Sequence, residues 1–215
     1  MRAAGPKQYL TLAGKPMLRH SIRCVAIPPV TTVFVVLALD DKGFAQHDWS
    51  EFEGRIEPLY CGGATRRDSV LNGLVAAMDA VDVDDWVLVH DAARPCLPRA
   101  DLDRLIEEVS QDQVGGLLAL PVAETVKRVT KDEAGAQRVA GTEDRSQLWL
   151  AQTPQMFRAG LLAEALRKAT GAVTDEASAV EGLGLKPRIV TGSRSNLKVT
   201  FPEDVAIAQS ILGQP

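Results

Sequence analysis

Cysteine is scarce in this chain and follows no pattern. Cys24, Cys61 and Cys96 are odd in number and widely spaced, so neither a disulfide framework nor a zinc site is expected. Thiols in a reducing compartment fit better, and we expect a cytoplasmic location. A basic excess is also missing: 24 Lys and Arg face 28 Asp and Glu, a net charge of −4. That argues against a nucleic-acid surface but leaves room for a local basic pocket that takes a small phosphorylated ligand. No apolar run approaches the ~18–20 residues that cross a bilayer, so no membrane partner is expected. The opening MRAAGPKQYL has no signal-peptide apolar core. No Gly-x-Gly-x-x-Gly loop follows a strand, which weakens the case for a dinucleotide oxidoreductase. Internal repeats and low-complexity linkers are lacking.

The 215 residues, 46% of them hydrophobic, suffice for one sizeable core, and we expect a single domain over residues 1–215. Apolar runs alternate with helical patterns. Thr31 to Ala38 (TTVFVVLA), Trp86 to His90 (WVLVH), Gly116 to Val122 and the shorter Arg188 to Thr191 read as strands covered on both faces. Helix candidates are Pro16 to Ala26, Asp68 to Val81, Arg99 to Ser110, Gly160 to Ala169, Asp175 to Leu183 and Pro202 to Leu212. In the second of these, Val70, Leu71, Leu74, Val75 and Met78 share one face. Strands separated by helices predict an α/β fold with a mostly parallel twisted sheet flanked by helices.

One stretch breaks the alternation. Thr125 to Trp149 is polar, with a turn signal at Asp132 to Gly135 between two charged strand candidates. It predicts a protruding β-hairpin arm over residues 123–150. An arm that buries little against its own domain suggests a dimer contact; a surface loop is the plainer alternative.

Five segments hold residues suited to phosphate chemistry, each weak alone. Lys7 in PKQYL could meet a phosphate as a point charge. Gly62 and Gly63 open GGATRRDS ahead of a helix, where paired glycines allow close backbone approach. There Asp68 or Ser69 could cap the helix, whose N-terminus attracts anions. Asp91 and Arg94 follow the strand WVLVH, at the strand end where α/β sheets bind ligands. A carboxylate there can hold Mg²⁺ on phosphates, and Arg94 can pair with a phosphate or with a local carboxylate. Thr174 and Asp175 begin a helix, with Thr174 a cap or phosphate ligand. Asn196 to Thr200 (NLKVT) is strand-like and carries Lys198.

Taken in order, these segments resemble one family. PKQYL, the GG…R…SV stretch with Arg66, WVLVHDAARP, Thr125-x-Lys127, Arg145, TPQ at Thr153, TDEAS at Thr174 and NLKVT followed by PED are similar to the 2-C-methyl-D-erythritol 4-phosphate cytidylyltransferases. The match runs from Pro6 to about Ala208. The resemblance implies a Rossmann-like nucleotidyltransferase fold and transfer of CMP from CTP to methylerythritol phosphate with Mg²⁺ or another divalent cation. It makes Lys7 and Lys198 the catalytic phosphate-binding lysines. Gly63 and Ser69 would hold the cytosine, and Ala92 would lie beside the ribose. Asp91 becomes the metal-associated aspartate. Thr125, Arg145, Thr153 and Thr174 fall on the acceptor side, and Thr125 and Arg145 would serve the partner's site in a homodimer through the arm.

Two relatives in function stay open: a ribitol 5-phosphate cytidylyltransferase and a non-catalytic nucleotide-binding dimer. The family's pattern opens with an apolar strand and a loop close to PAAGxGxRM. Met1 would align with that motif's methionine, so the strand, its glycines and its arginine are not among these residues. The expectation is a sequence that begins inside the family's fold, leaving two inner strand edges open. Ala64 departs from the acidic residue that relatives can carry there.

Overall fold

A computed structural model describes residues Pro6–Gly213. The chain enters through a 3-10 turn at Lys7–Tyr9, then a tight hairpin of β1 (Thr11–Leu12) and β2 (Lys15–Pro16). The helices and strands that follow alternate: α1 (Met17–Val25), β3 (Val33–Val36), β4 (Ile56–Leu59), α2 (Arg66–Ala76), β5 (Trp86–Val89), α3 (Arg99–Val109) and β6 (Gly116–Pro121). The arm is β7 (Lys127–Lys131) and β8 (Gln137–Thr142). After it come β9 (Trp149–Arg158), α4 (Ala159–Lys168), α5 (Glu176–Glu181), β10 (Arg188–Thr191) and α6 (Pro202–Leu212).

The main sheet has the order β10-β6-β9-β5, and β3-β4 form a separate parallel pair. β10 is parallel to β6, while β9 runs antiparallel to both β6 and β5. The ends of β3, β4 and β5 meet: Gly62, just past β4, donates to Leu37 O past β3 at 2.8 Å. Arg66, in the same loop's helix, reaches Asp91 past β5 at 3.0 Å. The large strands therefore share one direction except β9, so the mostly parallel expectation holds.

Period-2 alternation explains the layers. Trp86, Leu88, Leu118 and Met156 face a cluster with Leu102, Leu105 and Val109 of α3. Their neighbours Val87, Val89, Leu117 and Phe157 face α2, α4 and α5 through Leu71, Leu74, Leu162, Leu166 and Val180. A sheet clad by helices on both faces results, as the apolar runs predict.

Four local expectations are corrected. β4 and β9 were not foreseen as strands: β4 is half-exposed and contains Pro58, and β9 is interrupted by the polar residues Gln152, Thr153 and Gln155. α2 ends at Ala76, and Val75 and Met78 are each 50% exposed; the apolar face is Val70, Leu71 and Leu74. The α2 cap is Thr65, whose side chain accepts from Asp68 N at 3.1 Å, not Asp68 or Ser69. Asn196–Thr200 forms no strand; Val199 is tied to Ala93 O by one bond of 2.8 Å.

Between β3 and β5 lies a cavity of about 860 Å³ lined by both strands, by Val25 and Ile22 of α1, and by Gly73 and Leu74 of α2. Each of these strands has one paired neighbour among the described residues, so both turn an open edge to this space. The opening segment Met1–Gly5 lies outside the described residues.

Candidate active site

Asp91 sits two residues beyond the carboxyl end of β5 and gathers the basic residues of the site. Its Oδ1 accepts from Arg66 Nε and Nη2 at 3.2 and 3.0 Å. Its Oδ2 lies 2.7 Å from Lys198 Nζ and 3.8 Å from Arg94 Nε. Burial works to raise the Asp91 pKa, but Lys198 and Arg66 together outweigh it and hold the carboxylate below its ordinary range. Arg66 also grips Glu176, at 2.5 and 2.9 Å.

Behind Asp91 runs a buried hydrogen-bond chain. Asp91 N donates to Thr153 Oγ1 at 3.0 Å, and that hydroxyl lies 3.1 Å from His90 Nδ1. His90 Nε2 in turn lies 3.1 Å from Arg94 O. A carbonyl can only accept, so Nε2 carries the ring proton and Thr153 donates to Nδ1. Burial keeps that ring neutral, with a pKa lowered to about 4. Arg94 is buried and donates to Asn196 O at 2.7 Å, and Asn196 Nδ2 donates to Thr153 O at 2.9 Å. NLKVT is thereby clamped to the β5 loop, which places Lys198 over Asp91.

The glycine loop is shaped by contacts within the protein. A Cβ on Gly62 would meet Leu37 O at 2.9 Å, and one on Gly63 would collide with Asp68 Cβ. Ser69 Oγ accepts from Gly63 N at 3.0 Å and donates to Thr65 O at 2.9 Å. These glycines and Ser69 build the loop first; the close approach they serve is backbone to backbone.

The structure brings most of the sequence-derived residues together. Lys7, Arg66, Ser69, Asp91, Ala92 and Lys198 line the large cavity's walls. Arg66, Asp91, Arg94, Thr153, Thr174, Asp175 and Lys198 line an adjoining one of about 190 Å³. Gly62 and Gly63 flank α2, beside the first group. Lys7 has no ion pair within 4 Å among the described residues, whereas Lys198 is docked. Thr125 and Arg145 line neither cavity; they lie at the arm, where Arg145 donates to Ala123 O. Thr153 is 4% exposed, with its hydroxyl committed to His90. Thr174 is not the cap of α5: Asp175 is, in a reciprocal capping box with Ser178.

Sequence reasoning missed Glu176 and Gln155, each 1% exposed. Gln155 spans Asp175 Oδ2 at 2.8 Å and Ala177 N at 2.7 Å, fixing the start of α5. A Gln inside the apolar stretch TPQMF was the available signal. Glu176 gave none, because an acid in a helix's first turn is ordinary.

The comparisons agree with this geometry. The family model for 2-C-methyl-D-erythritol 4-phosphate cytidylyltransferase (IspD) matches residues 1–214. The protein of that name from Laribacter hongkongensis is 58% identical over 215 residues, covering 99% of this chain and 90% of its own. The one from Dechloromonas aromatica is 56% identical over 212 residues, covering 98% and 90%. A crystal structure of 4-diphosphocytidyl-2C-methyl-D-erythritol synthase superposes with a TM-score of 0.86 at 39% identity, covering 96% of this chain and 94% of that one. With motifs, fold and relatives in agreement over nearly its whole length, the chain belongs to the 2-C-methyl-D-erythritol 4-phosphate cytidylyltransferase family.

Proposed function

We propose that the protein transfers CMP from CTP to 2-C-methyl-D-erythritol 4-phosphate, giving CDP-methylerythritol and pyrophosphate for isoprenoid precursor synthesis. The observation that carries this reading is the convergence of Arg66, Arg94 and Lys198 on Asp91, in a chain of this family. A phosphate oxygen of the acceptor attacks the α-phosphorus of CTP, the bond to the bridging oxygen breaks, and pyrophosphate leaves. No side chain needs to become covalently attached. The protein's part is positioning and charge stabilisation. Lys7 and Lys198 offset charge on the phosphates, and the Gly62–Gly63 loop, whose two N–H groups are bonded within the protein, leaves its carbonyls for the cytosine. The smaller cavity, with Arg94, Thr174 and Lys198 on its wall, suits the acceptor's phosphate.

The donor set fits a divalent cation carried on a triphosphate. Among the described residues there is no group of three or more His, Cys, Asp or Glu that could hold a metal alone, so phosphate oxygens must supply most ligands, with Asp91 as the protein's carboxylate. Such an ion, when bound, neutralises charge on the phosphates. Lys198, which rests on Asp91 at 2.7 Å, would then be free to meet phosphate.

The protein works as a homodimer in this reading. Val129 and Val139 are cross-strand partners in the arm, 55% and 64% exposed. Leu148, Trp149 and Leu150 add uncovered apolar surface at its base. A second copy is the natural cover, and it would receive Thr125 and Arg145. The free thiols of Cys24, Cys61 and Cys96 support a reducing, cytoplasmic setting. Among the described residues no helix is long and apolar enough to cross a membrane.

Pyrophosphate release with CTP tests the reading when the two acceptors compete. We expect methylerythritol phosphate to be preferred over ribitol 5-phosphate, and release to vanish when the divalent cation is chelated. Equal use of both acceptors would contradict the assigned substrate.

A further inference from the structure

Glu176 is buried to 1% exposure in the first turn of α5. It is not needed to cap that helix, because Asp175 and Ser178 already form the capping box. Its carboxylate takes two nitrogens of Arg66, Oε1 to Nη1 at 2.5 Å and Oε2 to Nη2 at 2.9 Å. The other edge of the same guanidinium, Nε and Nη2, reaches Asp91 Oδ1 at 3.2 and 3.0 Å. One cation thus bridges two carboxylates, of which only Asp91 lines the cavities. A buried carboxylate pays a large desolvation cost, and the capping of α5 gives no reason for it.

We propose that Glu176 is a positioning residue that shares Arg66 with Asp91 and so keeps Asp91 available to the divalent cation of the nucleotide. The inference rests on Asp91 being that cation's protein ligand. Arg66, Arg94 and Lys198 all lie within 4 Å of Asp91. With Glu176 neutral, the charge of Arg66 falls on Asp91 alone, and an incoming cation competes with a stronger ion pair. The same change makes the site more positive by one unit, which favours a triphosphate. Cation binding and nucleotide binding therefore move in opposite directions. Loss of local packing would weaken both.

The test compares Mn²⁺ binding, read from the resonance of the free ion, in the presence of CTP and without acceptor. Calorimetry measures CTP binding in excess chelator. The proteins are the unsubstituted one, Glu176→Gln, Glu176→Asp and Asp91→Asn. Glu176→Gln is expected to weaken Mn²⁺ binding by roughly 5- to 10-fold, the low end of coupling between interacting sites, with CTP binding unchanged or tighter. Glu176→Asp keeps the charge and is expected to recover part of the Mn²⁺ affinity. Parallel weakening of both ligands in Glu176→Gln, or no change in Mn²⁺ binding, overturns the inference. If Asp91→Asn binds Mn²⁺ as the unsubstituted protein does, the cation-ligand reading fails first and this one falls with it.

Discussion

Lys7 and Lys198 differ in their surroundings. Lys198 rests on Asp91 at 2.7 Å, while Lys7 stands at the cavity wall without an ion pair within 4 Å among the described residues. Replacing either with Ala should cost about 10²–10³-fold in turnover, the typical loss of one transition-state donor, with little change in melting temperature. Steady-state kinetics alongside thermal unfolding checks this. Thr153 is the sharper case. If its hydroxyl holds His90 and the Asp91 backbone, Thr153→Val leaves two buried partners unsatisfied at about 1–3 kcal/mol each. Melting temperature and kcat should then fall together. A rise in the acceptor's KM alone would show that Thr153 touches substrate directly. The thiols give a third reading. Burial pushes Cys24 up to about 11 and Cys96 up to about 12, so both stay protonated and slow to alkylate at pH 8. Cys61, beside Gly62, should label first, and CTP should slow it; mass spectrometry of labelled peptides reads both.

At the scale of elements, the alternation of apolar runs and helical patterns was enough to place six helices and most parallel strands. β10 and α6 fall at their expected bounds. Amphipathic spacing survives folding wherever an element packs on one face only. β9 was illegible for the opposite reason: its first residues are exposed and its middle is a buried polar stretch, Gln152 to Gln155, so neither alternation nor a continuous apolar run marks it. α2 misled because Val75 and Met78 look like core at helical spacing, yet Val75 lies half-exposed within the helix and Met78 falls beyond its end at Ala76. The site was legible as motifs but not as a network. Asp91, Arg94 and Lys198 were each visible; their meeting depends on contacts between residues about 100 apart in sequence, such as Arg94 with Asn196 O. The arm was legible because its turn chemistry is local: Asp132 Oδ1 accepts from Ala134 N and Ala136 N, and Gly135 takes a φ of 81°. Its use is tested by Val139→Asp, which puts a charge on the exposed apolar pair. If the proposed homodimer forms through the arm, sedimentation should show monomer, with activity lost as Thr125 and Arg145 are withdrawn from a second copy. Dimer retention with full activity would contradict the arm's role.

For the whole molecule, the sheet, the loops at its carboxyl edge and the arm each have a distinct task. The sheet brings Asp91 to its carboxyl edge, the loops bring Arg66, Arg94 and Lys198 to it, and the arm holds Thr125 and Arg145 outside both cavities. No element needs a nucleophile, which matches an in-line transfer between phosphates. The measurement that bears most directly on this view is acceptor-dependent pyrophosphate release by the intact protein. It is run with CTP, Mg²⁺ and methylerythritol phosphate beside Asp91→Asn and Lys198→Ala. The predicted result is release that requires CTP, the acceptor and the cation together, reduced about 10²–10³-fold in each variant. Release that survives in both variants, or none from the intact protein with a folded, dimeric chain, would contradict it.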